Sequence, residues 1–295
     1  MDAVAIIAIL IAMVLLGAGK APNTNNTPSD KQTGSWSETV SNRGSIHAES
    51  ISIGRGNARN TYQSYEEYIT LDNRGDDSID ITGWQLRNAK DERAYDTTGT
   101  LRFFPADTAV IPQATILLSP YGTNFFQNVI LKEGEKAIIT TGKIGSQSPY
   151  KIVSFKENIC TGYIEKLDEY KFTPPLSRHC PRPADEPGIA TLDVECRKTI
   201  ERMSLCHTPE FDTRDDEGDI CRNCIDEKPV SRACVAFAKA HFNYAGCIAN
   251  HAGRTDFQED TWRIFLGRGW EMWAEDYESI RLYDILGRLV SERSY

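Results

Sequence analysis

The sequence predicts a mainly-β sandwich split by a disulfide-rich helical insertion. Three observations carry this. Short alternating apolar runs recur from Ser45 to Thr140, parted by turns rich in Asn, Asp and Gly, the spacing of a sandwich. Runs of the same kind return after Trp262. Between them, all eight cysteines fall within Cys160–Cys247, and the strands on either side have none. The length of 295 residues suits one large domain or two ordinary ones, and 40% hydrophobic content supplies a sizeable core. A formal net charge of −9, with no Lys/Arg run, argues against sequence-independent phosphate binding, so no nucleic-acid partner is expected.

In chain order, residues 1–20 come first. Ala3 to Gly19 is an uninterrupted apolar or small-residue run, spanning about 25 Å as a helix, with no polar face. It is expected to anchor the chain in a membrane through residues 3–19; a signal peptide cut near Gly17-Ala18-Gly19 is the alternative, with the remainder secreted. No Lys or Arg precedes the run and Lys20 follows it, so flanking charge does not set the orientation. The cysteines do: an even, clustered set fits an oxidising compartment and places the bulk of the chain outside the cytoplasm. Residues 21–44, rich in Asn, Thr, Ser, Pro and Gly, read as a flexible linker.

Ser45 to Ile53 is expected as the first strand, with Ile46, Ala48, Ile51 and Ile53 alternating until Gly54-Arg55-Gly56-Asn57 breaks it. Glu67, Ile69 and Leu71 share one side of the next. Asn73-Arg74-Gly75-Asp76-Asp77 is a polar turn, and Ile79, Ile81 and Gly83-Trp84-Gln85-Leu86 form a further strand. Asp91 to Gly99 reads as a polar loop before a strand from Leu101 to Pro105. Thr115–Leu118 and Lys136–Thr140 read as buried strands. Trp262–Leu266, Glu278–Tyr283 and the hairpin through Asp284-Ile285-Leu286-Gly287 to Val290 complete the set.

The stretch Glu66–Asn88, with its E-Y-I run, N-x-G turn and I-x-I-x-G-W-x-L strand, resembles the lamin-tail domain, an immunoglobulin-like β-sandwich. Its signature positions are Ile69, Leu71, Ile81, Gly83, Trp84 and Leu86. The closing tryptophan, strand, D-x-x-G turn and final strand are similar to that family's ending. In the turn before Thr115, Gln113 stands where the family commonly has glycine. The resemblance implies a sandwich made from 45–156 and 262–295, with 157–261 inserted. Cys160-Thr161-Gly162-Tyr163, Tyr244-Ala245-Gly246-Cys247, Thr255-Asp256-Phe257 and Trp262-Arg263-Ile264 also resemble a bacterial membrane-anchored subgroup with a cysteine-containing insertion. Cys221 and Cys224 are extra to that pattern, and the subgroup carries no activity over to this chain.

Two helices are expected in the insertion. Leu192–Leu205 places Val194, Ile200, Met203 and Leu205 among charges, with Asp193 as cap; Ser231–Phe242 has Ser231 as cap and Val235, Phe237 and Ala238 inward. Asn243-Tyr244-Ala245-Gly246 is expected to end the second helix. Cys196 and Cys206 would lie at the two ends of one helix, Cys234 and Cys247 near the two ends of the other. An antiparallel helix pair would then join Cys196 to Cys247 and Cys206 to Cys234, leaving Cys160–Cys180 and Cys221–Cys224.

Zinc is the sharpest chemical rival, since Cys221-x2-Cys224 has ligand spacing and His179, His207, His241 and His251 share the segment. No second C-x2-C or H-x3–5-H completes a set, and His179 and His207 sit directly beside Cys180 and Cys206. Redox catalysis at Cys221/Cys224 lacks a helix start and a βαβ context, and Asp219, Asp226 and Glu227 surround the pair. His241 and His251 with Asp256 or Glu259 form an imaginable hydrolase set, without a G-x-S-x-G elbow or H-E-x-x-H helix. No cofactor motif is present, because Gly54-Arg55-Gly56 lacks a third glycine. Trp270, Trp273 and Tyr277 are the candidate ligand platform, through the rigid contact area of their rings; packing under the insertion or on Trp84 is the structural alternative. The expected role is a membrane-tethered, non-catalytic module for adhesion, scaffolding or binding of a surface protein or polysaccharide. The competing expectation is an enzyme built on the insertion, a metal-dependent hydrolase or a thiol oxidoreductase.

Overall fold

A computed structural model describes residues 44–89, 92–95, 98–104, 106–119, 122–144, 152–165, 172–214 and 220–295, without the side chains of 92–95 and 101–104. The expected anchor at 3–19 and all but the last residue of the linker 21–44 lie outside these residues. Among the described residues no helix is long and apolar enough to cross a membrane.

The first strands are β1 (Ile51–Gly54), β2 (Tyr68–Asn73), β3 (Ile79–Asp80), β4 (Gln85–Arg87), β5 (Glu92–Tyr95) and β6 (Leu101–Phe104). Then come β7 (Thr108–Val110), β8 (Ala114–Thr115), β9 (Phe126–Gln127), β10 (Ile130–Leu131), β11 (Lys136–Thr140) and β12 (Phe155–Asn158). After the hairpin strands β13 (Cys224–Ile225) and β14 (Lys228–Pro229), the chain ends with β15 (Gln258–Phe265), β16 (Ser279–Tyr283) and β17 (Leu289–Ser294). A seven-stranded sheet runs β1-β2-β11-β15-β12-β8-β9 and a four-stranded one β17-β16-β4-β7. Their apolar side chains merge in one core: Ile51, Ile69, Leu71, Ile139 and Ile264 from the first sheet, and Leu86, Ile280, Leu282 and Val290 from the second. The fold is mostly β and consistent with a β-sandwich.

Trp84 lies in that core at 2% exposure, together with Ile69, Leu71, Ile81 and Leu86. A turn delivers it there: Trp84 N–H donates to the Ile81 carbonyl at 3.2 Å, and Gly83 takes φ +79°, which glycine adopts without strain. Two strand expectations shift. The first strand begins at Ile51, because Ala48, Ser50 and Ile51 donate N–H bonds back to Ser45 and His47 and coil the preceding residues. The expected loop at 91–99 instead contains β5, which pairs antiparallel with β6 across a bend where Gly99 has φ +78°.

The insertion is the connection between β12 and β15, which are antiparallel neighbours inside the seven-stranded sheet. It runs from Ile159 to Phe257, narrower than 157–261, since Glu157, Asn158 and Gln258–Thr261 belong to the strands. Alternation gives these strands two faces. Trp262 points into the sandwich core; Phe155 joins a second apolar cluster built mainly from the insertion. Arg263, opposite Phe155, is 3% exposed. Its Nε donates to Glu157, and its Nη1 and Nη2 donate to the Pro174 and Pro175 carbonyls, each at 2.7 Å. The other Glu157 oxygen accepts from Ser177 N–H at 3.1 Å. On the sandwich side, Lys156 Nζ pairs with Glu135 at 2.6 Å and stands 5.3 Å from the Trp262 ring.

The insertion contains α1 (Gly162–Glu165), α2 (Val194–Glu201), α3 (Arg232–His241) and α4 (Tyr244–His251). Asn243 does not end a helix: its side chain accepts from Gly246 N–H and caps α4. All eight cysteines are bridged, as Cys160–Cys247, Cys180–Cys206, Cys196–Cys234 and Cys221–Cys224. Only the last matches the expected pairing. The premise of an antiparallel pair fails because α2 stops at Glu201, leaving Cys206 beyond it, and because Cys247 belongs to a separate helix. Instead α2 and α3 meet start to start. Their caps are bonded, Ser231 Oγ donating to Asp193 at 2.7 Å, and each cap accepts from the N–H of the cysteine three residues on. Cys196 and Cys234 therefore face each other. The three bridges spanning 87, 38 and 26 residues each contribute roughly 3.5–4.5 kcal/mol by the chain-entropy relation.

Trp84→Ala is expected to cost ~3–5 kcal/mol in denaturant unfolding, as large-to-small core substitutions do. An unchanged midpoint would show that Trp84 does not hold the core. Arg263→Met should cost ~3–5 kcal/mol by stranding Glu157 without its cation, and Glu157→Leu in the same chain should restore part of that loss.

Candidate functional site

The structure does not bring Trp270, Trp273 and Tyr277 together as a platform. Glu67, fully buried beside Ile69 and Leu71, accepts the Met272 N–H at 2.7 Å and the Trp273 N–H at 3.2 Å. That capture pulls Met272 and Trp273 into the sandwich core, where Trp273 is 4% exposed. Trp270 stays outside at 62%, with the Arg268 guanidinium 5.3 Å from its ring, and Tyr277 is fully exposed at φ +56°. Burial pushes the Glu67 carboxyl above its ordinary pKa, opposed by the two backbone N–H bonds.

The histidines are also partnered otherwise than their sequence neighbours suggest. His241 Nδ1 and His251 Nε2 lie 2.9 and 3.0 Å from the two oxygens of buried Glu186, not beside Asp256 or Glu259. Tyr163 stands in the same interior, its hydroxyl pKa raised by burial and by the Glu186 charge. Asp256 is held by Arg254 instead. Glu259 meets Ser177 Oγ at 2.9 Å and His179 Nδ1 at 3.1 Å, while Ser177 Oγ lies 2.8 Å from the same nitrogen. A serine–histidine–carboxylate relay needs the hydroxyl and the carboxylate on opposite ring nitrogens; here both crowd Nδ1. His207 pairs with Asp226 at 2.8 Å. Among the described residues no three His, Cys, Asp or Glu side chains are arranged to hold a metal ion.

What the structure does form is an open apolar pocket of about 340 Å³ where the sheet edge meets the insertion. One wall is Thr115, Ile116, Leu117, Ser119, Thr123, Phe125 and Gln127, around β8 and β9; the other is Ala245 and Ile248 of α4. Thr115–Leu118 does not continue as a buried strand. Thr115 Oγ1 donates to the Leu117 carbonyl at 2.8 Å and also lies 3.3 Å from the Leu117 N–H, closing a local turn. The turn ends β8 and leaves Ile116 and Leu117 partly exposed at 38% and 37%. The α4 wall is covalently fixed, because Cys247, beside Ile248, is bridged to Cys160 just after β12. Sequence periodicity missed this site; the one available sign was the apolar cluster Ile116-Leu117 with Phe125-Phe126 on both sides of a short loop.

No protein family, curated protein or solved structure was found to match the chain.

The Glu67 shift has a pH consequence. A carboxyl whose folded pKa lies above its unfolded one adds stability in full below the unfolded value, about pH 4. That contribution fades as pH rises through the higher folded value. Glu67→Gln should flatten the decline in unfolding free energy above about pH 4, read from denaturant midpoints across that range; an identical slope in both proteins would remove Glu67 as its source.

Proposed function

We propose that this protein is a lamin-tail-like sandwich held outside the cytoplasm by residues 3–19, and that it works as a non-catalytic binding module. The pocket between the sheet edge and α4 carries the proposal. It is apolar and open, and one wall is fixed by a disulfide, so little conformational freedom is lost when it is filled. Four bridges support an oxidising compartment. The lamin-tail assignment rests on the G-W-x-L strand and the closing D-x-x-G hairpin, and its Trp84 anchor sits in the core that such a sandwich requires. The lining surface is mainly apolar and carries no charge, which suits an aromatic or branched aliphatic group of a surface partner.

Anilinonaphthalene sulfonate serves as the probe. The full chain should bind it with enhanced fluorescence, and Ile248→Glu, which puts a charge into the pocket wall, should weaken that binding at least about tenfold, or ~1.4 kcal/mol. Peptide mapping under non-reducing conditions should find all four bridges in the variant. Unchanged probe binding with the bridges intact would overturn the pocket as the binding seat.

A further inference from the structure

Six of the eight half-cystines form part of the buried core of the insertion, none more than 4% exposed. Cys221 and Cys224 lie outside that core. Cys224 is buried, but Cys221 is partly exposed. Their bridge is also local, with a sequence separation of 3 against 87, 38 and 26 for the others, so it restricts the unfolded chain least. The hairpin that carries Cys224 has other ties besides the bridge. β13 and β14 pair through Cys224–Pro229 and Ile225–Lys228, with Asp226 and Glu227 both left-handed at the turn, as a tight hairpin requires. Ile225, fully buried, roots it in the insertion core, and Asp226 is tied to His207 and to the Glu210 N–H.

We infer that Cys221–Cys224 is a thiol-exchange site, a disulfide that an external dithiol reduces while the other three stay closed. Exchange requires access to one sulfur, and the partly exposed Cys221 is the half of the pair nearer to solvent. An incoming thiolate bonds to Cys221 Sγ, the Cys221–Cys224 bond breaks, and Cys224 leaves with the electron pair and takes a proton from water. The second thiol of the same reagent then attacks its own mixed-disulfide sulfur and releases Cys221 as a thiol. Two electrons and two protons pass from the reagent, which becomes a cyclic disulfide. Both new thiols have acceptors in place: Cys221 Sγ is 3.7 Å from the Glu227 carbonyl and Cys224 Sγ 3.7 Å from that of Arg222. The bridge thus works as an electron acceptor on the insertion surface.

The native full chain is treated with limiting dithiothreitol, quenched with an alkylating agent and peptide-mapped over time. Cys221 and Cys224 should be labelled at least about tenfold faster than the other six cysteines, with the hairpin's amide protection retained. Uniform labelling, or earlier opening of another bridge, overturns the inference. Single variants test which sulfur is attacked. With oxidised glutathione, Cys224→Ser should accumulate a mixed disulfide at Cys221 and release one reduced glutathione, whereas Cys221→Ser, leaving only the buried sulfur, should not. Equal or greater glutathione uptake by Cys221→Ser also overturns it. The readout does not involve the apolar pocket, so its failure leaves the binding role standing.

Discussion

The structure depends on how one buried cation is satisfied. Arg263 sits in the middle of the seven-stranded sheet, on the face turned towards the insertion, and is closed off from water. A charge there is tolerable only with a counter-charge and hydrogen bonds to compensate its lost hydration. Glu157 takes Nε, and the Pro174 and Pro175 carbonyls take the two outer nitrogens. Ser177 closes the remaining side of the carboxylate. Residues 174–177 of the insertion are thereby fixed to the adjacent strands β12 and β15. Apolar contact alone would hold the layers together without choosing a register; a planar guanidinium with set acceptors chooses one.

From this junction outward, covalent and hydrogen-bonded devices take over what a small core cannot supply. α2 and α3 are short, and helices of that length are marginal by themselves. They are joined where their capping side chains meet, and the Cys196–Cys234 bridge covers the same point. Hydrogen bonds from Cys196 N–H and the Ser231 hydroxyl hold the Asp193 carboxyl below the ordinary carboxylate range, which keeps the cap charged. α4 is pinned through Cys247 to the end of β12, and so a surface pocket acquires one immobile wall.

The parts of the fold legible in the sequence are those fixed by local pattern. Period-two runs located β2 and β16, a short apolar run located β11, the hairpin through Asp284–Gly287 located β17, and Ser231 and Asp193 marked two helix starts. The disulfide pairing was not legible from helix ends, because the expected geometry assumed that α2 reached Cys206 and that α3 reached Cys247. A truer sign was present: Asp193 and Ser231 each stand three residues before a cysteine, and matched caps with matched cysteines fit helices that begin side by side. The aromatic platform failed for a different reason. A carboxylate two hundred residues earlier in the chain, Glu67, decides that Trp273 turns inward, and no local window contains both. The pocket was hidden likewise, since Ile116 and Ile248 come together only after the insertion has folded back on the sheet edge.

The bridge between Cys160 and Cys247 spans nearly the whole insertion, whose ends meet where Ile159 N–H donates to the Phe257 carbonyl at 3.0 Å. Consider a single cut in the backbone between Thr161 and Gly246. The two halves of the sandwich would still be joined, through sulfur rather than through backbone. The chain is in effect doubly connected across the insertion, and a nicked molecule keeps both β12 and β15 in the same sheet.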